Sequence, residues 1–195
     1  MLFVVIFINE QQTSNTEQYN MIKEEIIQRA DEHLQKLSDS DIEKYQKTIS
    51  KEQKNMADYV MSMGDVFEDE DEYYNKFLYF FMLVHRSYAN RFRFFPEISK
   101  ELILAVEDRD QQVMEDLSEL SEEDFEQAFD ATIKGHPQKM MIDFITLDLF
   151  EGDEDQYDDI SLELDNQIFF LIITVINIYE ESLVESQKTK EEDPK

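Results

Sequence analysis

Three of the five arginines, Arg86, Arg91 and Arg93, fall within HRSYANRFRF, from His85 to Phe94, in a chain whose formal net charge is -28. A guanidinium offers a planar fork of donors that matches carboxylate and phosphate oxygens, so a cluster of them could hold an anion. On a helix advancing about 100° per residue, Phe77, Phe81, Val84, His85, Tyr88, Phe92 and Phe95 share one apolar arc. Arg86, Asn90 and Arg93 then line the opposite side together with Tyr79, and Arg91 flanks the arc. The leading expectation is structural. Glu70, Asp71 and Glu72 open this helix and the arginines close it, which suits the helix dipole, and many carboxylates are at hand to pair with them. The alternative is an anion pocket built from Arg86, Asn90 and Arg93, which would make the chain a small-ligand-binding or enzymatic protein.

Other reactive groups are sparse. None of the three histidines, His33, His85 and His136, has a glutamate three residues before it, and no two lie four apart. The di-iron bundle pattern and a histidine zinc site are therefore not expected. His85 falls on the apolar arc and reads as a core histidine, and His136 reads as an exposed residue in a helix break. The loop beginning at Asp153 places Asp153, Asp155 and Asp159 where a calcium loop has ligands. It carries Asp158 where the turn needs glycine and Leu164 where the bidentate glutamate belongs, so an EF-hand is not expected. Cysteine is absent, which removes thiol chemistry and thiolate-bound metals and fits a reducing cytoplasm. The three glycines are too scattered to cradle a phosphate, and no local serine–histidine–aspartate signature is present. No metal and no cofactor is expected, and an enzyme is the less favoured class.

Charge is more informative than any motif. Between Gln111 and Val184 twenty acidic residues stand against Lys134 and Lys139 alone, a net of -18. Such a surface repels phosphate, so direct nucleic-acid binding is not expected. It suits a basic protein partner, as an inhibitor, immunity or adaptor protein would engage. The residues expected to meet that partner are Glu119, Glu122, Glu123 and Glu126, with Glu151, Asp153, Asp155, Asp158 and Asp159. The simpler alternative is a solubilising surface.

The elements that must position these groups are helical. With 42% hydrophobic residues the chain is too apolar to stay disordered, and three glycines and three prolines are too few for a sheet-rich fold. Helices are expected from the capping box Ser14-x-x-Glu17 to Leu37, from Ser40-x-x-Glu43 onward, and through MADYVMSM to Gly64. Others are expected from Glu72 to Phe94, from Pro96 to Leu117, from Ser121-x-x-Asp124 to the Gly135-His136-Pro137 break, from Pro137 to Phe150, and from Ser161 to Val184. The opening MLFVVIFI is far short of the roughly 20 apolar residues that span a bilayer. It reads as an apolar arm that packs on the body, or as sequence preceding a true start at Met21. No membrane association is expected.

Three segments recur in order. LSDSDIEKY from Leu37 matches LSEEDFEQA from Leu120, QKNMADYV from Gln53 matches QKMMIDFI from Gln138, and NKFLYFFMLVHRSY from Asn75 matches NQIFFLIITVINIY from Asn166. The expected architecture is all-α, a bundle or short helical repeat of seven or eight helices made by internal duplication. Copy one spans 15–95 and copy two 96–184, between an apolar segment 1–14 and a solvated tail 185–195. In general form this resembles HEAT-like helix pairs, a likeness that carries no function.

Overall fold

The computed structural model describes residues 21–67, 70–92, 95–150 and 159–192. The expected arm MLFVVIFI and the Ser14 capping box lie outside the described residues. Eight α-helices follow in order: α1 Glu24–Leu34, α2 Asp39–Glu52, α3 Lys54–Ser62, α4 Asp71–Arg91, α5 Lys100–Ser118, α6 Glu122–Gly135, α7 Lys139–Phe150 and α8 Asp159–Glu192. A short 3-10 turn, Met63–Phe67, joins α3 towards α4. No strand occurs among the described residues, so the fold is all-α as expected.

Helices α4 and α8, which carry the two long apolar runs, sit at the centre. In α4, Phe77, Phe80, Phe81, Leu83 and Val84 are all buried, and in α8 Ile168, Ile172, Val175, Ile176 and Ile178 are buried. A helix that is apolar nearly all round must be surrounded, and these two pack against each other. Amphipathic α1 lays Ile27, Ala30 and Leu34 onto α4, and α5 lays Leu102, Ile103 and Val106 onto α8. The arrangement is closed by α1 on α7 and by α3 on α5. The buried Asp165 accepts from Lys76 Nζ at 2.7 Å, tying α4 to α8. The stretch Ile160–Ser186 of α8 is long and apolar enough to cross a membrane by length and composition, and 56% of its apolar window is buried inside the molecule.

Several helix ends differ from expectation, each for a local reason. Helix α5 starts at Lys100 and not at Pro96, because Ser99 is its N-cap and its Oγ accepts from Leu102 N at 3.1 Å. The chain ahead of it is held by Gln53, whose Nε2 donates to Pro96 O at 2.8 Å and whose Oε1 accepts from Ile98 N at 3.0 Å. Gln138 does the corresponding work ahead of α1. Its Oε1 accepts from Ile22 N at 2.9 Å across a sequence separation of 116 residues. Helix α2 starts at Asp39 with Ser38 at its N-cap position, so Ser40 lies inside the helix. The Ser121 cap is as expected, its Oγ accepting from Asp124 N at 3.3 Å. Helix α8 continues past Val184 to Glu192, so much of the expected tail is helical.

Candidate functional site

Of the three residues expected to form an anion pocket, Arg86 and Asn90 are described and Arg93 is not. Helix α4 ends at Arg91, and Phe92 is already extended at φ -114 and ψ 120. The stacking of Arg86 over Arg93 required the helix to continue, and Arg93 lies outside the described residues. Asn90 is exposed. Arg86 is half-buried with its guanidinium 5.4 Å from the Tyr45 ring centroid, a cation–π contact. Its buried Nε meets no acceptor among the described residues. No ion pair from Arg86 to a carboxylate forms among the described residues, so the expected pairing gives way to stacking on Tyr45.

The acidic residues expected to meet a partner divide into those that are exposed and those that are not described. Glu119, Glu123 and Glu126 are exposed, and Glu115, Asp116 and Asp124 beside them are exposed too. They occupy the end of α5 and the start of α6, where Ser121 caps α6. No basic residue lies between Arg109 and Lys134. None of these six carboxylates makes an ion pair among the described residues. Glu115 and Asp116 instead accept from Gln111 and Gln112 of the same helix, at 3.0 Å and 2.9 Å. Glu151, Asp153, Asp155 and Asp158 lie outside the described residues, as do the side chains of Glu122 and Asp159.

A buried polar seam between α4 and α8 was not legible beforehand. The rings of Tyr88 and Tyr179, both fully buried, meet at 4.8 Å between centroids. Tyr88 donates to Glu180 Oε1 at 2.7 Å, and Gln138 Nε2 donates to the same oxygen at 2.7 Å. Burial pushes the Glu180 carboxyl above the usual carboxylate range, and those two donors partly offset it. His85 Nδ1 lies 2.8 Å from the Tyr179 hydroxyl, and its Nε2 faces Glu52 at 3.9 Å. A neutral ring with its proton on Nε2 satisfies both contacts. Burial, and then the Arg86 charge, lower the His85 pKa to about 4. His85 is thus the core histidine that its position on the apolar arc implied.

His136 corrects its expected exposure. It is half-buried, and burial lowers its pKa while a bond to Asn177 opposes the shift. Its Nδ1 accepts from Gln138 N at 3.0 Å, so Nε2 carries the proton and donates to Asn177 Oδ1 at 2.8 Å. Asn177 Nδ2 in turn donates to Asp110 Oδ2 at 2.7 Å, and Arg109 bonds both Asp110 and Glu181. The chain of bonds joins α5, the connection between α6 and α7, and α8. Each group named in it has a hydrogen-bond partner, as buried polar groups require.

No group of three His, Asp or Glu among the described residues could hold a metal ion. Neither a protein-family model, nor a curated protein, nor a solved structure matches the chain.

Proposed function

We propose that the chain is a non-enzymatic protein-interaction module whose acidic face docks a basic protein, as an inhibitor, immunity protein or adaptor would. The observation that carries this reading is the corner between α5 and α6. There Glu115, Asp116, Glu119, Glu123, Asp124 and Glu126 are exposed together without a basic residue among them. Uncompensated surface carboxylates raise the local negative potential and steer a cationic partner into contact. Glu122, Glu151, Asp153, Asp155, Asp158 and Asp159 belong to the same proposed face on charge alone. A cytoplasmic setting belongs to this reading as well. The alternative, an anion pocket at Arg86, Asn90 and Arg93, has less support, because Arg86 is committed to Tyr45 and Asn90 is open to solvent. The test is association kinetics with the partner recovered from the source cells, comparing the native chain with one in which the six described carboxylates become Gln or Asn. The variant should associate several-fold more slowly and dissociate at nearly the native rate. Unchanged association would refute the proposal.

We further infer that residues 15–95 and 96–184 arose by duplication of one helical unit. Three things support this besides the matched segments. Gln53 and Gln138 sit at corresponding places, just before α3 and α7, and each accepts from the backbone two residues ahead of a helix in the other half. The packing is reciprocal, with α1 on α4 and α7, and α5 on α8 and α3. Tyr88 and Tyr179, which the sequence match pairs, meet as tilted rings at the junction of the halves.

A further inference from the structure

The second half contains an open groove of about 500 Å³ between α6, α7 and α8. Its wall is a run of aromatic rings. Phe125 stacks on Phe129 at 5.8 Å, Phe129 meets Phe169 at 5.8 Å, and Phe150 meets Phe169 at 6.0 Å. Phe170 and Ile133 complete it. The space between α2, α3 and α4 in the first half is only about 170 Å³. An apolar groove of this size on an acidic protein calls for an occupant.

The charge at its rim narrows the choice. Lys134 and Lys139, the only cations between Gln111 and Val184, both line this groove, and each is paired within its own helix, with Asp130 and Asp143. The rim is thereby neutral while the neighbouring surface is strongly negative. A charged occupant gains nothing there, and an uncharged apolar one does. The apolar runs at 77–84 and 168–178 are already packed in the core, which leaves the stretch MLFVVIFIN, residues 1–9, with no charged side chain. Its covalent route leads to the right place. Ile22 N is fixed on Gln138 Oε1, immediately before Lys139, and Lys139, Asp143, Thr146 and Phe150 carry the groove along α7. The intervening residues 9–21 can reach about 40 Å when extended. The twelve residues of α7 measure only about 18 Å.

We propose that the N-terminal apolar stretch of this chain, residues 1–8, docks into the α6–α7–α8 groove and covers its phenylalanines. A tethered segment has a high local concentration, so it should hold the groove against free competitors. The absence of cysteine makes the test clean. The double variant Val5→Cys with Thr146→Cys probes the groove, and Val5→Cys with Thr48→Cys, on the exposed face of α2, is the control. With a short bismaleimide the groove pair should cross-link within one chain at least about fivefold faster than the control, as an effective-concentration effect requires. Adding Phe3→Ser and Phe7→Ser should abolish that difference without disturbing the body of the fold. A second readout uses an uncharged solvatochromic dye, which should bind the chain lacking residues 1–9 several-fold more strongly than the full chain. Equal cross-linking of the two pairs would overturn the proposal. So would cross-links that appear only between two chains, which would make a second copy the occupant. Equal dye binding by both chains would overturn it too.

Discussion

Replacing His85 by phenylalanine should change the pH dependence of stability, and the structure sets the size of the change. An ordinary histidine titrates near 6.5, whereas His85 is lowered to about 4 by burial and then by Arg86. Between those values the unfolded chain binds a proton that the folded chain refuses. The stability this provides is present above about pH 6.5 and is lost as pH falls. At about 1.4 kcal/mol per pH unit, the loss is ~2 kcal/mol by about pH 5 and ~3 kcal/mol by about pH 4. Phenylalanine cannot be protonated, so the variant escapes this loss. It does strand the buried Tyr179 hydroxyl, at a cost of about 1–3 kcal/mol. The variant should therefore be the less stable protein at pH 7, and the gap should close and then reverse as the solution is acidified. Urea unfolding followed by far-ultraviolet circular dichroism at several pH values measures this directly. Every other titrating group is common to both proteins and cancels in the difference. Parallel stability profiles for the two proteins, with a constant gap, would refute the reasoning.

Gln53→Leu and Gln138→Leu should each lower stability by about 1–3 kcal/mol, because each strands a buried backbone N–H, at Ile98 and at Ile22; thermal unfolding would register both losses. Tyr88→Phe removes one of the two donors to Glu180 Oε1 and should cost about 1–2 kcal/mol by chemical denaturation. Glu180 is pushed up by burial, so its folded form favours the proton, and native stability should fall as pH rises through that raised value. Glu180→Gln keeps an acceptor for both donors and should remove the loss of stability that sets in as pH rises above the ordinary carboxylate range, which a pH series of melting curves would detect.

Much of the helical framework was legible because its signals are local. The near-continuous apolar runs of α4 and α8 required central helices. The Ser121 cap and the Gly135-His136-Pro137 break fell where short-range rules put them. The acidic α5–α6 corner was legible from charge counts alone. What could not be read depends on distant parts of the chain. Pro96 looked like a first-turn residue, but Gln53, 43 residues earlier, holds Pro96 and Ile98 in the lead-in and leaves the cap to Ser99. The repeated Gln-Lys that opens the matched segments at Gln53 and Gln138 was the one clue to these clamps, and it has meaning only once the partners are in place. Glu180 was hidden among 46 acidic residues, because burial, and not residue type, distinguishes it. His136 was misjudged for the same reason. The groove was invisible since it is a gap between three helices.

The central claim is that exposed carboxylates at the α5–α6 corner recruit a basic protein. The most direct measurement is the association rate of the recovered partner with the native chain and with the variant carrying Gln or Asn at Glu115, Asp116, Glu119, Glu123, Asp124 and Glu126, each at low and high salt. Opposite charges steer encounter, so the native rate should fall steeply as the Debye length drops below about 10 Å, and the variant should be slow and nearly independent of salt. A partner that is itself acidic, or that associates equally fast with both proteins at both salts, would contradict the account and leave the charge as a solubilising surface.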